Sequence, residues 1–184
     1  MQKNTLPIQR ITIVPRTSGA LGYVWQVPEE EKQLQTKKEM EEDIVTFLAG
    51  RAAEELKFDS VTNGASNDIE KATSLARTMI TMYGMSEKFG MVQLEGVTGE
   101  YLDNRRVLNC SSETETKVDT EVKNMMKASY EKAYKLLKKN MPTLDAIAQV
   151  LYEKENLSGK EFMELYEKYK DQLGQKLTEA EKVQ

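Results

Sequence analysis

The sequence predicts a mainly α fold: a small N-terminal β hairpin or sheet followed by helices, the last of them forming a C-terminal helical bundle. Two observations carry this expectation. From residue 36 onward, apolar residues recur at three- and four-residue steps over long segments, the period of a helix that buries one face. Residues 1–35 depart from that period, with alternation around Ile11 and Ile13 and with aromatic and β-branched residues between Leu21 and Val27.

The elements follow in order. Ile8 to Val14 and Leu21 to Val27 read as strands, and Pro15-Arg16-Thr17-Ser18-Gly19 supplies the turn residues of an antiparallel connection. Thr36 with Glu39 has the spacing of a capping box, and Met40, Ile44, Phe47, Leu48, Ala52 and Leu56 then mark one face of a first helix from about Lys37 to Lys57. Gly50 lies inside it among small residues, where glycine costs about 1 kcal/mol relative to alanine, so another backbone is expected to pack close. A second helix is expected from Asn67, capped reciprocally by Glu70, to Gly84. Residues 85–112 read as a long loop with at most a short strand near Met91 to Leu94.

Ser112 with Glu115 opens a third helix carrying Val118, Val122, Met125, Met126, Ala133 and Leu136, and Pro142 opens a fourth through Leu144, Ile147 and Leu151. Ser158 and Glu161 form the capping box of a fifth, with Leu157 and Phe162 at its staple positions. Short connections suggest that these three helices, over residues 113–174, form the bundle. Residues 175–184 are expected to fray. The methionines read as core filling rather than as a plastic binding surface.

Composition narrows the function classes. A chain of 184 residues with 39% hydrophobic content suits one domain. Its 26 basic and 30 acidic residues leave a net charge of −4, which gives no footprint for nucleic acid. The one cysteine, Cys110, forms no internal disulfide and reads as an incidental loop thiol in reducing surroundings, and there is no histidine to activate it. No apolar run approaches the roughly 20 residues that cross a bilayer, so this chain alone is expected to be soluble. No GxxxxGK[ST] pattern is present for ATP.

Three segments carry a resemblance. Ile11-Thr12-Ile13-Val14-Pro15-Arg16 with Gly19-Ala20-Leu21-Gly22-Tyr23, Gly50-Arg51-Ala52-Ala53-Glu54-Glu55, and Gly64-Ala65-Ser66-Asn67-Asp68 stand in the order in which FtsH-type ATP-dependent zinc metalloproteases carry similar segments. The resemblance runs over essentially the whole chain and is strongest from Gln9 to Gln93. It implies the peptidase domain of such a protein, with Asp68 as the third zinc ligand. On spacing alone Asp68 is an ordinary helix-start acid favoured by the macrodipole.

The family's HExxH helix, with two zinc-binding histidines and the catalytic Glu, is expected just before residue 1. No catalytic residue therefore lies in this chain, which alone is expected to be inactive and to hold zinc at most weakly. ATP and Mg would enter only through an ATPase module outside it. Glu54 is a candidate outer partner of a zinc-bound histidine, or a solvated partner of Arg51. Leu21, Gly22, Tyr23 and Val24 resemble the family's substrate-pairing strand, or form a structural hairpin arm with Trp25 in the core. The intact protein implied is a homohexamer acting on unfolded polypeptides, anchored in a bacterial inner membrane or an organelle by transmembrane segments not in this sequence. The competing class is a non-catalytic pseudopeptidase or helical scaffold.

Overall fold

A computed structural model describes residues 6–15, 22–27, 34–98 and 105–181. The described residues form five α-helices and five short strands, so the mainly helical class with a small N-terminal antiparallel sheet is the observed one. They fall into two compact units, one comprising Leu34–Leu136 and the other drawn from Leu6–Gln33 and Leu137–Gln184.

In the first unit, α1 spans Lys37–Phe58 and begins as its capping box dictates. The Glu39 N–H donates to Thr36 Oγ1 at 3.3 Å while the Thr36 N–H donates to Glu39 Oε2 at 2.7 Å. A 3₁₀ turn, Asn63–Ala65, leads into α2, Ser66–Thr81. The reciprocal cap expected at Asn67 is not formed. Asn67 is already helical, Ala65 occupies the N-cap without a side-chain hydrogen bond, and Thr62 caps the preceding turn instead. Past α2, Gly84 takes φ +60°, a conformation that suits glycine, and lets the Met85 N–H reach back to the Met79 carbonyl at 3.0 Å.

Met40, Ile44 and Leu48 of α1 and Ala72, Ala76, Met79 and Ile80 of α2 form the core of this unit. Full burial of side chains such as Ile44, Met79 and Ile80 stabilises by about 1.5–3 kcal/mol each. Met125 and Met126 pack on the edge of the same core, as core filling requires, and so does the half-buried Cys110. The segment expected to be mostly loop contains a hairpin. Strands β3, Glu95–Thr98, and β4, Arg105–Leu108, pair antiparallel, so the strand lies just beyond the anticipated Met91 to Leu94 and has a partner. The base of β3 is tied to α2, since the Leu94 N–H donates to the Thr81 carbonyl at 2.7 Å and the buried Thr81 hydroxyl donates to the buried Glu95 carboxylate at 2.6 Å.

Helix α3, Ser112–Lys139, has its start capped by Ser111, whose Oγ accepts the Thr114 N–H. Its buried Val118 and Val122 enter the core of α1 and α2. An apolar stripe at helical spacing says that a face is buried but not against what.

In the second unit, β1, Ile8–Thr12, pairs antiparallel with β2, Tyr23–Gln26, as the sequence suggests. Its other edge pairs with β5, Asn156–Ser158, giving the order β2-β1-β5. Helix α4, Met141–Lys154, carries Pro142 in its first turn, and α5, Gly159–Glu181, starts at the Ser158/Glu161 capping box. Helix α5 runs past Gly174 to Glu181. Leu157 and Ile147 are the buried apolar anchors of this unit. Gly159 is required by packing: a Cβ there would lie 2.9 Å from the Ile8 carbonyl carbon and 3.3 Å from Gln9 Cα, with the Ile8 oxygen closer still.

Candidate functional site

Asp68 stands in the first turn of α2, where its carboxylate is favoured by the helix dipole. It is half-exposed and its ion pair with Lys71 is loose, at 3.7 Å. An oxygen of Asp68 is therefore available to a ligand without breaking a strong internal bond. On the neighbouring face of α2, Lys71 and Leu75 join Asp43, Phe47 and Tyr83 around an open groove of about 630 Å³. Burial raises the pKa of the Asp43 carboxyl there, against the lowering effect of a hydrogen bond from Gln35.

Glu54, near the end of α1, is engaged with the turn that precedes Asp68. Its Oε1 accepts the Thr62 hydroxyl at 2.8 Å and its Oε2 accepts the Thr62 N–H at 3.2 Å. These bonds, the side-chain one foremost, hold the Glu54 carboxyl below the usual glutamate range. Arg51 makes only a minor contribution, so a simple pairing with Arg51 is not what fixes Glu54. Glu55 accepts the phenol hydrogen of Tyr130 from α3, and burial together with that carboxylate pushes the Tyr130 pKa up to about 12. The phenol remains a donor at any physiological pH.

Thr62 escaped the sequence reading. A threonine two residues before a glycine is the local signal for it, because its hydroxyl accepts the Gly64 N–H at 3.1 Å. A Cβ at Gly50 would meet no described atom within 4 Å; the resemblance assigns the neighbour expected there to the family's zinc-binding helix, whose histidines are not in this sequence.

Of the strand residues, Leu21 lies outside the described residues. Gly22 fits against β1 so closely that a Cβ would come 2.5 Å from the Thr12 carbonyl oxygen. Tyr23 and Val24 open β2, whose pairing among the described residues is with β1 alone. Val24 is 54% and Trp25 56% exposed, so Trp25 is not a core residue; among the described residues β2 lies at the edge of its sheet.

Zinc needs three protein ligands and a water, or four protein ligands. Among the described residues no group of three histidines, cysteines or carboxylates converges on one point, and the sequence has no histidine. The residues present fit one ligand position, at Asp68, and not a complete set.

The family model for peptidase family M41 matches residues 1–165. The chain belongs to this metallopeptidase family. It is 55% identical over 167 residues to the ATP-dependent zinc metalloprotease FtsH of Clostridium perfringens, covering 90% of this chain and 23% of that protein. To the protein of the same name from Lancefieldella parvula it is 47% identical over 165 residues, 90% of this chain and 26% of the relative. The FtsH of Pseudothermotoga lettingae is 40% identical over 185 residues, 98% of this chain and 29% of the relative. The chain thus spans about a quarter of the length of these relatives. No helix among the described residues is long and apolar enough to cross a membrane.

Proposed function

We propose that this chain is the peptidase-domain portion of a membrane-associated, ATP-dependent zinc metalloendopeptidase that degrades unfolded or membrane proteins as a homohexamer. The family match and the names of the relatives support the reaction class. The observation that carries the site is Asp68, a half-exposed and loosely paired carboxylate projecting from the first turn of a helix. Zinc, when bound, supplies Lewis acidity and a hydroxide near neutral pH. This chain contributes the Asp68 oxygen as one ligand. It also contributes strand β2, which lies at the edge of its sheet among the described residues, and pairing of an extended peptide with an edge strand reads backbone rather than sequence.

Asp68→Asn in the full-length protein separates ligand from helix acid. The dipole and an exposed lysine pair together make the carboxylate worth under about 1 kcal/mol of stability. The variant is expected to fold with little change, to lose most of its zinc by elemental analysis, and to stop hydrolysing an unfolded protein substrate. Wild-type zinc content and turnover in the variant would refute the assignment.

A further inference from the structure

We infer that Glu54 and Thr62 act as a pair of positioning residues, a clamp between α1 and the turn before α2 that sets where Asp68 stands; this rests on the reading of Asp68 as a zinc ligand. Helix α2 lacks the side-chain cap that ordinarily fixes a helix start, its N-cap being Ala65. The position of its first turn is fixed from outside. Both oxygens of the Glu54 carboxylate are taken by Thr62, one by the hydroxyl and one by the N–H. The same hydroxyl oxygen accepts the Gly64 N–H, which carries the constraint one residue further into the 3₁₀ turn.

Gly64 completes the contact. A Cβ there would lie 3.2 Å from Thr62 Oγ1 and 3.8 Å from Glu54 Oε1, so the turn backbone is seated against the clamp. Ala65, 8% exposed, anchors the other side of the turn. The chain then enters α2, and Asp68 follows within one helical turn. A charged acceptor makes stronger hydrogen bonds than a neutral one, so a carboxylate at Glu54 holds the turn more firmly than an amide would. Glu54 acts through Thr62 and Gly64 on Asp68 and has no ligand role of its own.

The test uses the full-length protein in four variants: Glu54→Gln, Thr62→Val, Thr62→Ser and Asp68→Asn. Zinc affinity is measured by competition with a chelator, and protection of the amides from Asn63 to Asp68 by hydrogen exchange. Groups that orient a metal ligand from outside typically change affinity by about 10- to 100-fold when removed. Thr62→Val and Glu54→Gln are expected to weaken zinc binding within that range and to speed exchange in the turn while the amides of α1 keep their protection. Thr62→Ser, which retains the hydroxyl, restores both. Wild-type zinc affinity in Thr62→Val overturns the clamp, as does a Thr62→Ser protein that behaves like Thr62→Val, since the hydroxyl would then not be the operative group. The two readings fail differently: zinc lost in Asp68→Asn but retained in Thr62→Val removes only the clamp, whereas zinc retained in Asp68→Asn removes the ligand reading beneath it.

Discussion

Gly159→Ala is expected to unseat the sheet of the second unit. The new methyl group would lie 2.9 Å from the Ile8 carbonyl carbon and 3.3 Å from Gln9 Cα, and its obstacles are backbone atoms, which cannot rotate away as a flexible side chain does. Relief requires β1 and the start of α5 to separate. That movement strains the register Arg10↔Ser158, Ile11↔Leu157 and Thr12↔Asn156, and it opens the pocket that buries Leu157 completely. Overpacking of this kind costs about 1–3 kcal/mol. Partial re-exposure of Leu157 adds about 1 kcal/mol, a fraction of the ~1.5–3 kcal/mol its full burial is worth. A loss of roughly 2–4 kcal/mol is expected, a large part of the ~5–15 kcal/mol that a typical domain has in total.

The single tryptophan, Trp25, lies in β2 beside β1, so urea unfolding followed by its fluorescence reports on this sheet. Gly50→Ala in the first unit is the contrast, followed in the same urea titration by the ellipticity of the helices. It meets open space in the middle of α1 and should stabilise by up to about 1 kcal/mol. If Gly159→Ala unfolds within about 0.5 kcal/mol of wild type, the range in which ordinary surface substitutions fall, the packing argument at this joint is wrong.

Three further outcomes are expected. Thr81→Val leaves the buried Glu95 carboxylate without its hydroxyl donor and should cost about 1.5–3 kcal/mol by chemical denaturation, with Thr81→Ser close to wild type. Thr143, 1% exposed, has a hydroxyl with no hydrogen-bond partner among the described residues, so Thr143→Val should be neutral or stabilising by about 1 kcal/mol in the same assay; a marked loss would reveal a partner for it. The Glu161 carboxyl is held down to about 2, by the Ser158 N–H first, then the Ser158 hydroxyl and Lys154. Because this pKa is depressed, the α5 cap contributes fully above the ordinary glutamate pKa and its contribution is lost as pH falls toward 2, and Ser158→Ala should move the Glu161 titration upward when followed by NMR.

What was legible in the sequence was local. The capping boxes at Thr36/Glu39 and Ser158/Glu161 join residues three apart, and both form as their spacing demands. Strand β5 was invisible, because three residues are too few to show an alternation and its partner β1 lies at the other end of the chain. The start of α2 was misplaced by the 3₁₀ turn, whose cap at Thr62 serves a shorter element than the helix sought. Asp68 is singled out by its segment alone, and the bond between Glu54 and Thr62 spans eight residues and depends on how α1 meets the turn, which no spacing rule encodes.

The pairing of β1 with β5 also governs the order in which the protein assembles. Strand β1 precedes the helical unit in the chain, yet its partner β5 and the glycine that seats it come only after that whole unit has been synthesised. During that interval β1 has β2 on one edge and nothing on the other, an open template for a foreign strand. The helical unit, whose segments are contiguous from residue 34 to residue 136, has no such wait and can close its core first. Completion of the sheet is therefore a late event, and a nascent or C-terminally clipped chain exposes the edge of β1 that the short β5 covers in the finished one.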